Sequence, residues 1–176
     1  MRPVKLVMSA FGPYAGLEAI DFDGLGREGL YLITGDTGSG KTTIFDAVVF
    51  ALYGEASDQN RDRNMLRSAY AEAGTDTYVE LTFRCRNQDY RIRRNPQYER
   101  PMKRGNGFTK QSSGAEIVFP DGRMVSGDKD VTAEVTQLLG IDKDQFMQIA
   151  MIAQGDFLKL LLADTPARKK ILSSIF

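Results

Sequence analysis

Eight consecutive residues, Gly35-Asp36-Thr37-Gly38-Ser39-Gly40-Lys41-Thr42, constrain the fold of this chain more than any others. Gly35, Gly38 and Gly40 let a backbone curl tightly, because no Cβ stands in the way. A short apolar run, Leu30 to Ile33, precedes the loop. Behind it Ile44, Phe45, Val48, Val49 and Leu52 recur at helical spacing. Strand, glycine loop and helix in that order turn successive N–H groups and a helix N-terminus toward one point, where an anion fits. The expected fold is therefore α/β, with the loop at the C-terminal edge of a strand in an open sheet.

The pattern is that of a P-loop, and it assigns roles. Gly35, Gly38, Ser39 and Gly40 form the phosphate cradle. Lys41 reaches the β- and γ-phosphates, and Thr42 offers its hydroxyl to magnesium. Thr43 is expected on the α-phosphate. Asp36 is expected to point away, since like charges repel. ATP and magnesium are the implied cofactors. Hydrolysis also needs an acidic magnesium element and a group that orients water. Leu158 to Asp164 is an apolar run ending in aspartate, but it lies beside a helix cap and no second acid follows. No guanine-type Asn-Lys-x-Asp motif occurs. The sequence thus carries a phosphate cradle without its catalytic half.

Around the loop the period changes several times. Residues 3–9 and 17–22 are expected as strands about the turn at Phe11-Gly12-Pro13-Tyr14. Residues 56–74 are polar and expected as a surface loop, with a helical turn at Met65, Leu66 and Tyr70. Residues 76–85 and 88–94 alternate as strands joined at Asn87-Gln88. Pro96 to Gly114 is expected as a long loop or ragged hairpin. Residues 115–119 and 123–125 flank a turn at Pro120-Asp121-Gly122. Helices are expected over 128–139, ended by Gly140, from Asp142 onward, and after Thr165-Pro166. The chain stops at Ile175-Phe176 in mid-pattern, which suggests a fragment of a longer protein.

The totals exclude several classes. The 176 residues suit one core of ordinary size. One cysteine, Cys85, and no histidine rule out an internal disulfide and Cys- or His-rich zinc sites. Cys85 falls in an alternating stretch and is expected as a strand residue without chemistry. Lys plus Arg and Asp plus Glu both number 23, so overall charge does not point to nucleic acid. No basic-plus-apolar leader and no long apolar span occur, so a cytoplasmic protein with no membrane association is the default.

Several segments together resemble the N-terminal ATPase segment of SbcC-type proteins, bacterial members of the coiled-coil ABC-type ATPases that include SMC proteins. The matching pieces are Ser9 to Tyr14, Ile20-Asp21-Phe22, Gly35 to Thr43, Phe45-Asp46-Ala47, Ala51-Leu52-Tyr53-Gly54, and Ile152-Ala153-Gln154-Gly155-Asp156-Phe157 followed by Leu161, Ala163 and Arg168. The resemblance implies that residues 1–176 are the N-terminal half of an ABC-type ATPase head, with a strand-rich subregion and C-terminal helices, cut before a coiled coil. It implies that Gln154 reaches magnesium and the attacking water as an oxygen ligand. Read without the resemblance, Gln154 is a glutamine at a helix break. The implied partners are the C-terminal half of the same polypeptide, a second copy of the head, an SbcD-type nuclease subunit and double-stranded DNA. The implied function is ATP-driven head engagement that regulates a nuclease at DNA breaks. An SMC-like chromosome-organising head and a stand-alone P-loop kinase are the alternatives. The isolated chain is expected to turn over little ATP.

Arg84 to Lys110 holds nine basic residues against Asp89 and Glu99. Such a stretch can follow a phosphate backbone, and reads equally as a solvated hairpin. Arg91 and Arg93 share one strand face, with Arg94 on the other. Lys103 and Arg104, in the glycine-containing part, are the expected DNA contacts.

Overall fold

A computed structural model of the chain describes residues 1–26, 32–57, 66–102 and 107–150. It divides into two units, Met1–Leu139 and Gly140–Phe176.

In the first unit the order is β1 (Arg2–Phe11), β2 (Tyr14–Asp21), α1 (Lys41–Tyr53), β3 (Tyr78–Cys85), β4 (Gln88–Asn95), β5 (Tyr98–Pro101), β6 (Phe108–Gln111), β7 (Gly114–Val118), β8 (Met124–Ser126) and α2 (Asp128–Leu139). Six strands form one sheet in the order β2-β1-β3-β4-β7-β8, and β5 pairs with β6 in a separate ribbon. Every described pairing is antiparallel.

Alternation builds the core. Leu6, Met8 and Ala10 of β1, Val79, Leu81 and Phe83 of β3, Ile92 of β4 and Ile117 of β7 are buried. Lys5, Arg91, Arg93 and Met124 occupy the opposite, solvated parity. Helix α1 packs on the sheet beside β1, β3 and β4, and α2 beside β7 and β8. From Asp46 to Tyr53 every residue of α1 is buried. A helix apolar on nearly all sides belongs inside a core, so α1 is more deeply enclosed than a one-sided stripe requires.

Three expectations need correction. First, the phosphate loop does not leave a strand of the described sheet. Leu32 and Ile33 are non-strand and exposed, Leu32 at 88%; Leu30 and Tyr31 lie outside the described residues. An apolar run without alternation needs strand neighbours that cover both its faces, and none flanks Leu32 among the described residues. Second, the β3–β4 turn is Arg86-Asn87, one residue earlier than expected, because Cys85 pairs with Gln88. Both turn residues have positive φ, 50° and 62°, as a two-residue hairpin that follows strand twist demands. Third, Leu66 and Tyr70 do not share a helical turn. Leu66 is buried and Tyr70 is 78% exposed. The backbone there pairs with the end of β1: Gly12 N–H donates to Leu66 O at 2.9 Å and Ser68 N–H to Ala10 O at 2.8 Å. Met65 lies outside the described residues.

The ragged hairpin expected over residues 96–114 is present as β5 and β6. Cys85 is a buried, free strand thiol. In the second unit, α3 (Lys143–Ala150) begins with a reciprocal cap. Gln145 N–H donates to Asp142 Oδ1 at 2.9 Å, and Asp142 N–H to Gln145 Oε1 at 3.0 Å. The segment with Gln154, Asp164 and Thr165-Pro166 lies outside the described residues.

Candidate nucleotide-binding site

Helix α1 starts at Lys41, directly after the glycine loop. Gly40 is its N-cap at φ 91°, with no side-chain cap and no acidic residue in the first turn. By contrast, α2 opens with Asp128 and Asp130, and α3 has Asp144. Carboxylates at a helix N-terminus stabilise it against the macrodipole. Helix α1 lacks that compensation; Thr43 N–H donates to Gly40 O, which leaves the Lys41 and Thr42 N–H groups to face an external anion.

The loop is open: residues 35–39 and Thr42 are exposed. Its glycines are required. Gly38 has φ 87°, a conformation L side chains rarely adopt. A Cβ on Gly35 would come within 2.9 Å of Ser39 Oγ. Lys41 Nζ folds back and donates to Gly35 O and Asp36 O, both at 2.7 Å, with Ser39 Oγ at 3.5 Å. Asp36 therefore contributes its carbonyl, which also accepts from Ser39 N–H at 3.1 Å. The structure thus brings Gly35, Gly38, Ser39, Gly40, Lys41 and Thr42 together around one loop. Thr43 is set apart: it is buried, its methyl directed at Gly12.

The hairpin turn between β1 and β2 presses on the same loop. A Cβ on Gly40 would meet Pro13 Cγ at 2.7 Å, and one on Gly12 would meet Thr43 Cγ2 at 2.6 Å. Tyr14 Oη donates to Gly40 O at 3.2 Å. Within this turn Ala10 takes φ 46° at a bulge in β1. Ser9 Oγ donates to Asp76 O at 2.7 Å.

The far end of α1 is closed. Gly54 at φ 75° donates its N–H to Phe50 O at 2.7 Å, a left-handed glycine cap. Arg94, 1% exposed, reaches in from β4. Its guanidinium donates to Ala51 O (2.8 Å), Leu52 O (3.1 Å), Thr132 Oγ1 (2.9 Å) and Asp128 O (3.3 Å). Asp128 Oδ1 lies at 3.5 Å. A cation at a helix C-terminus also complements the macrodipole. Asp46, buried in α1, accepts from Ser57 Oγ.

Arg94 is the residue that sequence reasoning misses. A charge count places it in the basic stretch, although its inward parity beside Tyr90 and Ile92 is visible in the sequence. Other members of the stretch are also committed internally. Arg84 Nε donates to Asp89 Oδ1 at 2.7 Å, and that bond, then the charge, holds the Asp89 carboxyl below its ordinary pKa. Arg93 stacks on Tyr78, 3.7 Å from the ring centroid. Lys103 and Arg104 lie outside the described residues, as does Gln154.

The residues present fit a nucleotide phosphate: glycines in backbone conformations that L side chains rarely adopt, an uncompensated helix N-terminus and an adjacent ammonium. Thr42 is placed in the first turn, exposed, where a hydroxyl can meet magnesium. Among the described residues no group of three or more His, Cys, Asp or Glu could hold a metal ion. Magnesium held through phosphate oxygens, water and Thr42 is compatible with that donor set.

This combination of glycine loop and helix defines a P-loop nucleotide-binding domain. The AAA domain family model matches residues 5–176, and the chain belongs to that family. It is similar to the SbcC component of the SbcCD nuclease of Vibrio cholerae serotype O1, 42% identical over 180 residues, covering all of this chain and 18% of that protein. The corresponding component from Lactococcus lactis subsp. lactis is 38% identical over 183 residues, covering all of this chain and 17% of that protein. This chain therefore spans under a fifth of the length of these curated relatives. A solved structure described under "Structural biochemistry of ATP-driven dimerization and DNA stimulated activation of SMC ATPases" matches over the full length of both chains, with TM-score 0.57 and 20% identity. That likeness establishes the fold. The resemblance to SbcC-type proteins and the α/β ATPase-head fold are both borne out. Among the described residues no helix is long and apolar enough to cross a membrane.

Proposed function

We propose that this chain is the ATP-binding half of an ATPase head in a nuclease complex that processes DNA breaks. The single observation that carries the reading is the acid-free N-terminus of α1, opening into an exposed glycine loop with Lys41 at its edge. The similarity of the entire chain to under a fifth of the SbcC component of SbcCD nucleases supports this reading over a stand-alone kinase or a chromosome-organising head.

In this reading Gly35, Gly38, Ser39, Gly40 and Lys41 hold the β- and γ-phosphates of ATP. Lys41 turns to the phosphate oxygens the donors that now face Gly35 O and Asp36 O. Thr42 lends its hydroxyl to magnesium, and Thr43 turns its hydroxyl to the α-phosphate while its methyl stays against Gly12. Magnesium, when bound, supplies charge neutralisation between the phosphates. Gln154 orients the attacking water and contributes an amide oxygen to the metal. The remaining acid and the signature element come from the C-terminal half of the polypeptide and from a second head. The nuclease subunit and double-stranded DNA are the further partners, with Lys103 and Arg104 on the DNA backbone. The location proposed is the cytoplasm.

The test is magnesium-ATP binding and turnover by the full-length polypeptide with its nuclease partner. Lys41→Ala should bring binding below detection, and Gln154→Ala should retain binding but slow turnover. Residues 1–176 alone should show little turnover. Robust, Lys41-dependent turnover by residues 1–176 would instead support a self-contained enzyme. Reversing Lys103 and Arg104 together should weaken duplex binding and flatten its salt dependence; an unchanged salt slope counts against their assignment.

A further inference from the structure

The sequence motif around the β1–β2 turn has a geometric partner in the phosphate loop. Gly40 O accepts two hydrogen bonds, from Thr43 N–H at 2.9 Å and from Tyr14 Oη at 3.2 Å. A carbonyl oxygen has two lone pairs, and donors from the helix and from the turn hold this one in place. The Gly40 carbonyl and the Lys41 N–H belong to one planar trans peptide unit and point in opposite directions. Fixing the carbonyl therefore fixes the direction of the Lys41 N–H.

The packing around that bond is tight. Pro13 Cγ and the Tyr14 ring stand 2.7 Å and 3.1 Å from where a Gly40 Cβ would be. The turn is braced from behind. Gly12 N–H donates to Leu66 O, and Phe11 bridges to Arg67. Arg67 in turn donates to Thr75 O at 2.6 Å and Glu72 O at 2.9 Å. Burial, and then the nearby Glu18 carboxylate, push the Tyr14 hydroxyl above its ordinary pKa. It remains a donor throughout the neutral range.

We propose that Tyr14 is a positioning residue for nucleotide binding: from the β1–β2 turn it orients the Gly40–Lys41 peptide so that the Lys41 N–H faces the phosphate. This rests on the reading of residues 35–42 as the phosphate site. The phenol touches no substrate. It acts on the geometry of one peptide unit, so its loss weakens nucleotide capture more than it slows the chemical step.

The experiment uses the full-length polypeptide with its nuclease partner and compares Tyr14→Phe, Tyr14→Leu and Lys41→Ala. The readings are KM and kcat for magnesium-ATP, the Kd of a non-hydrolysable ATP analogue, and the melting temperature without nucleotide. Tyr14→Phe keeps the ring against Gly40 and removes one neutral hydrogen bond. It should raise KM and Kd roughly three- to tenfold, with kcat within about twofold and the melting temperature nearly unchanged. Tyr14→Leu should raise KM further. Lys41→Ala separates the two layers. If it abolishes binding while Tyr14→Phe leaves KM and Kd unaltered, the positioning role is overturned and the phosphate site stands. If Lys41→Ala binds the analogue normally, the phosphate site itself is wrong and the proposal falls with it. A Tyr14→Phe protein that melts early and loses kcat without a rise in KM has lost folding rather than positioning, which also overturns the proposal.

Discussion

The two ends of helix α1 are built on opposite principles. Its N-terminus is exposed, made of glycines, and has neither a side-chain cap nor an acid in the first turn. Its C-terminus is sealed by Gly54 and by the guanidinium of Arg94, which spans acceptors on α1 and α2. One helix thus presents its positive end to solvent while its negative end is neutralised inside the protein. Unmet hydrogen-bonding capacity at a helix end is normally satisfied locally. Here it is satisfied at the end that needs rigidity and left open at the end that meets a ligand.

The largest way to break this contrast is to remove Arg94. Arg94→Leu strands the Ala51 and Leu52 carbonyls in a buried site. It should cost about 3–5 kcal/mol in the stability of the Met1–Leu139 unit, read as a lower urea midpoint. A loss below about 1 kcal/mol would mean that Arg94 is dispensable. Arg94→Lys should recover only part of the loss, because one ammonium cannot span acceptors arrayed around a planar fork. At the open end, Lys41→Ala should weaken nucleotide binding by at least about 2–3 kcal/mol, about 30- to 150-fold or more, which takes it below calorimetric detection. Its melting temperature should hardly move, since the Lys41 bonds lie on an exposed loop.

A smaller effect is expected at the closed end from Gly54→Ala. The residue sits at φ 75° with Arg94 Nη1 3.0 Å from a would-be Cβ. A cost of about 1–2 kcal/mol is expected, and its absence would show that Arg94 can give way. Thr42→Glu sharpens the comparison through its two signs. An acid in the first turn should stabilise the nucleotide-free protein by about 0.3–1 kcal/mol and weaken nucleotide binding. A single sign for both would contradict an electrostatic role for the open end. The smallest effect concerns Arg84 and Asp89, exposed beside the β3–β4 turn. Because the folded-state pKa of Asp89 is depressed, the pair's contribution is present above the ordinary carboxylate range. It is lost as pH falls through the lowered value. Comparing wild type with Asp89→Asn in an acid titration should show a slight difference, diminished by salt.

How much of this is readable from the sequence differs along the chain. The β3 and β4 strands, α2 and the Asp142 cap follow from alternation, helical spacing and side-chain chemistry, all local signals. The glycine loop is legible because its residue types have few other uses at that spacing. The role of the β1–β2 turn is not, although Gly12-Pro13-Tyr14 stands out as a motif. Its partners, Gly40 and Thr43, are distant in sequence, and no periodicity encodes that meeting. Arg94 escapes for a related reason. Strand parity sets it on the face opposite Arg91 and Arg93, but its acceptors Ala51, Leu52 and Thr132 are distant in sequence. The Leu30 to Ile33 run reads as a strand because apolar runs usually are, yet Leu32 and Ile33 are non-strand and lack strand neighbours among the described residues.

The central claim is that the open end of α1 is an ATP phosphate site. Calorimetric titration of the full-length polypeptide with a non-hydrolysable ATP analogue and magnesium tests it most directly, comparing wild type with Lys41→Ala. The account predicts stoichiometric binding in wild type and none detectable, at the same protein concentration, in a normally folded Lys41→Ala. Equal binding by the two proteins would contradict it.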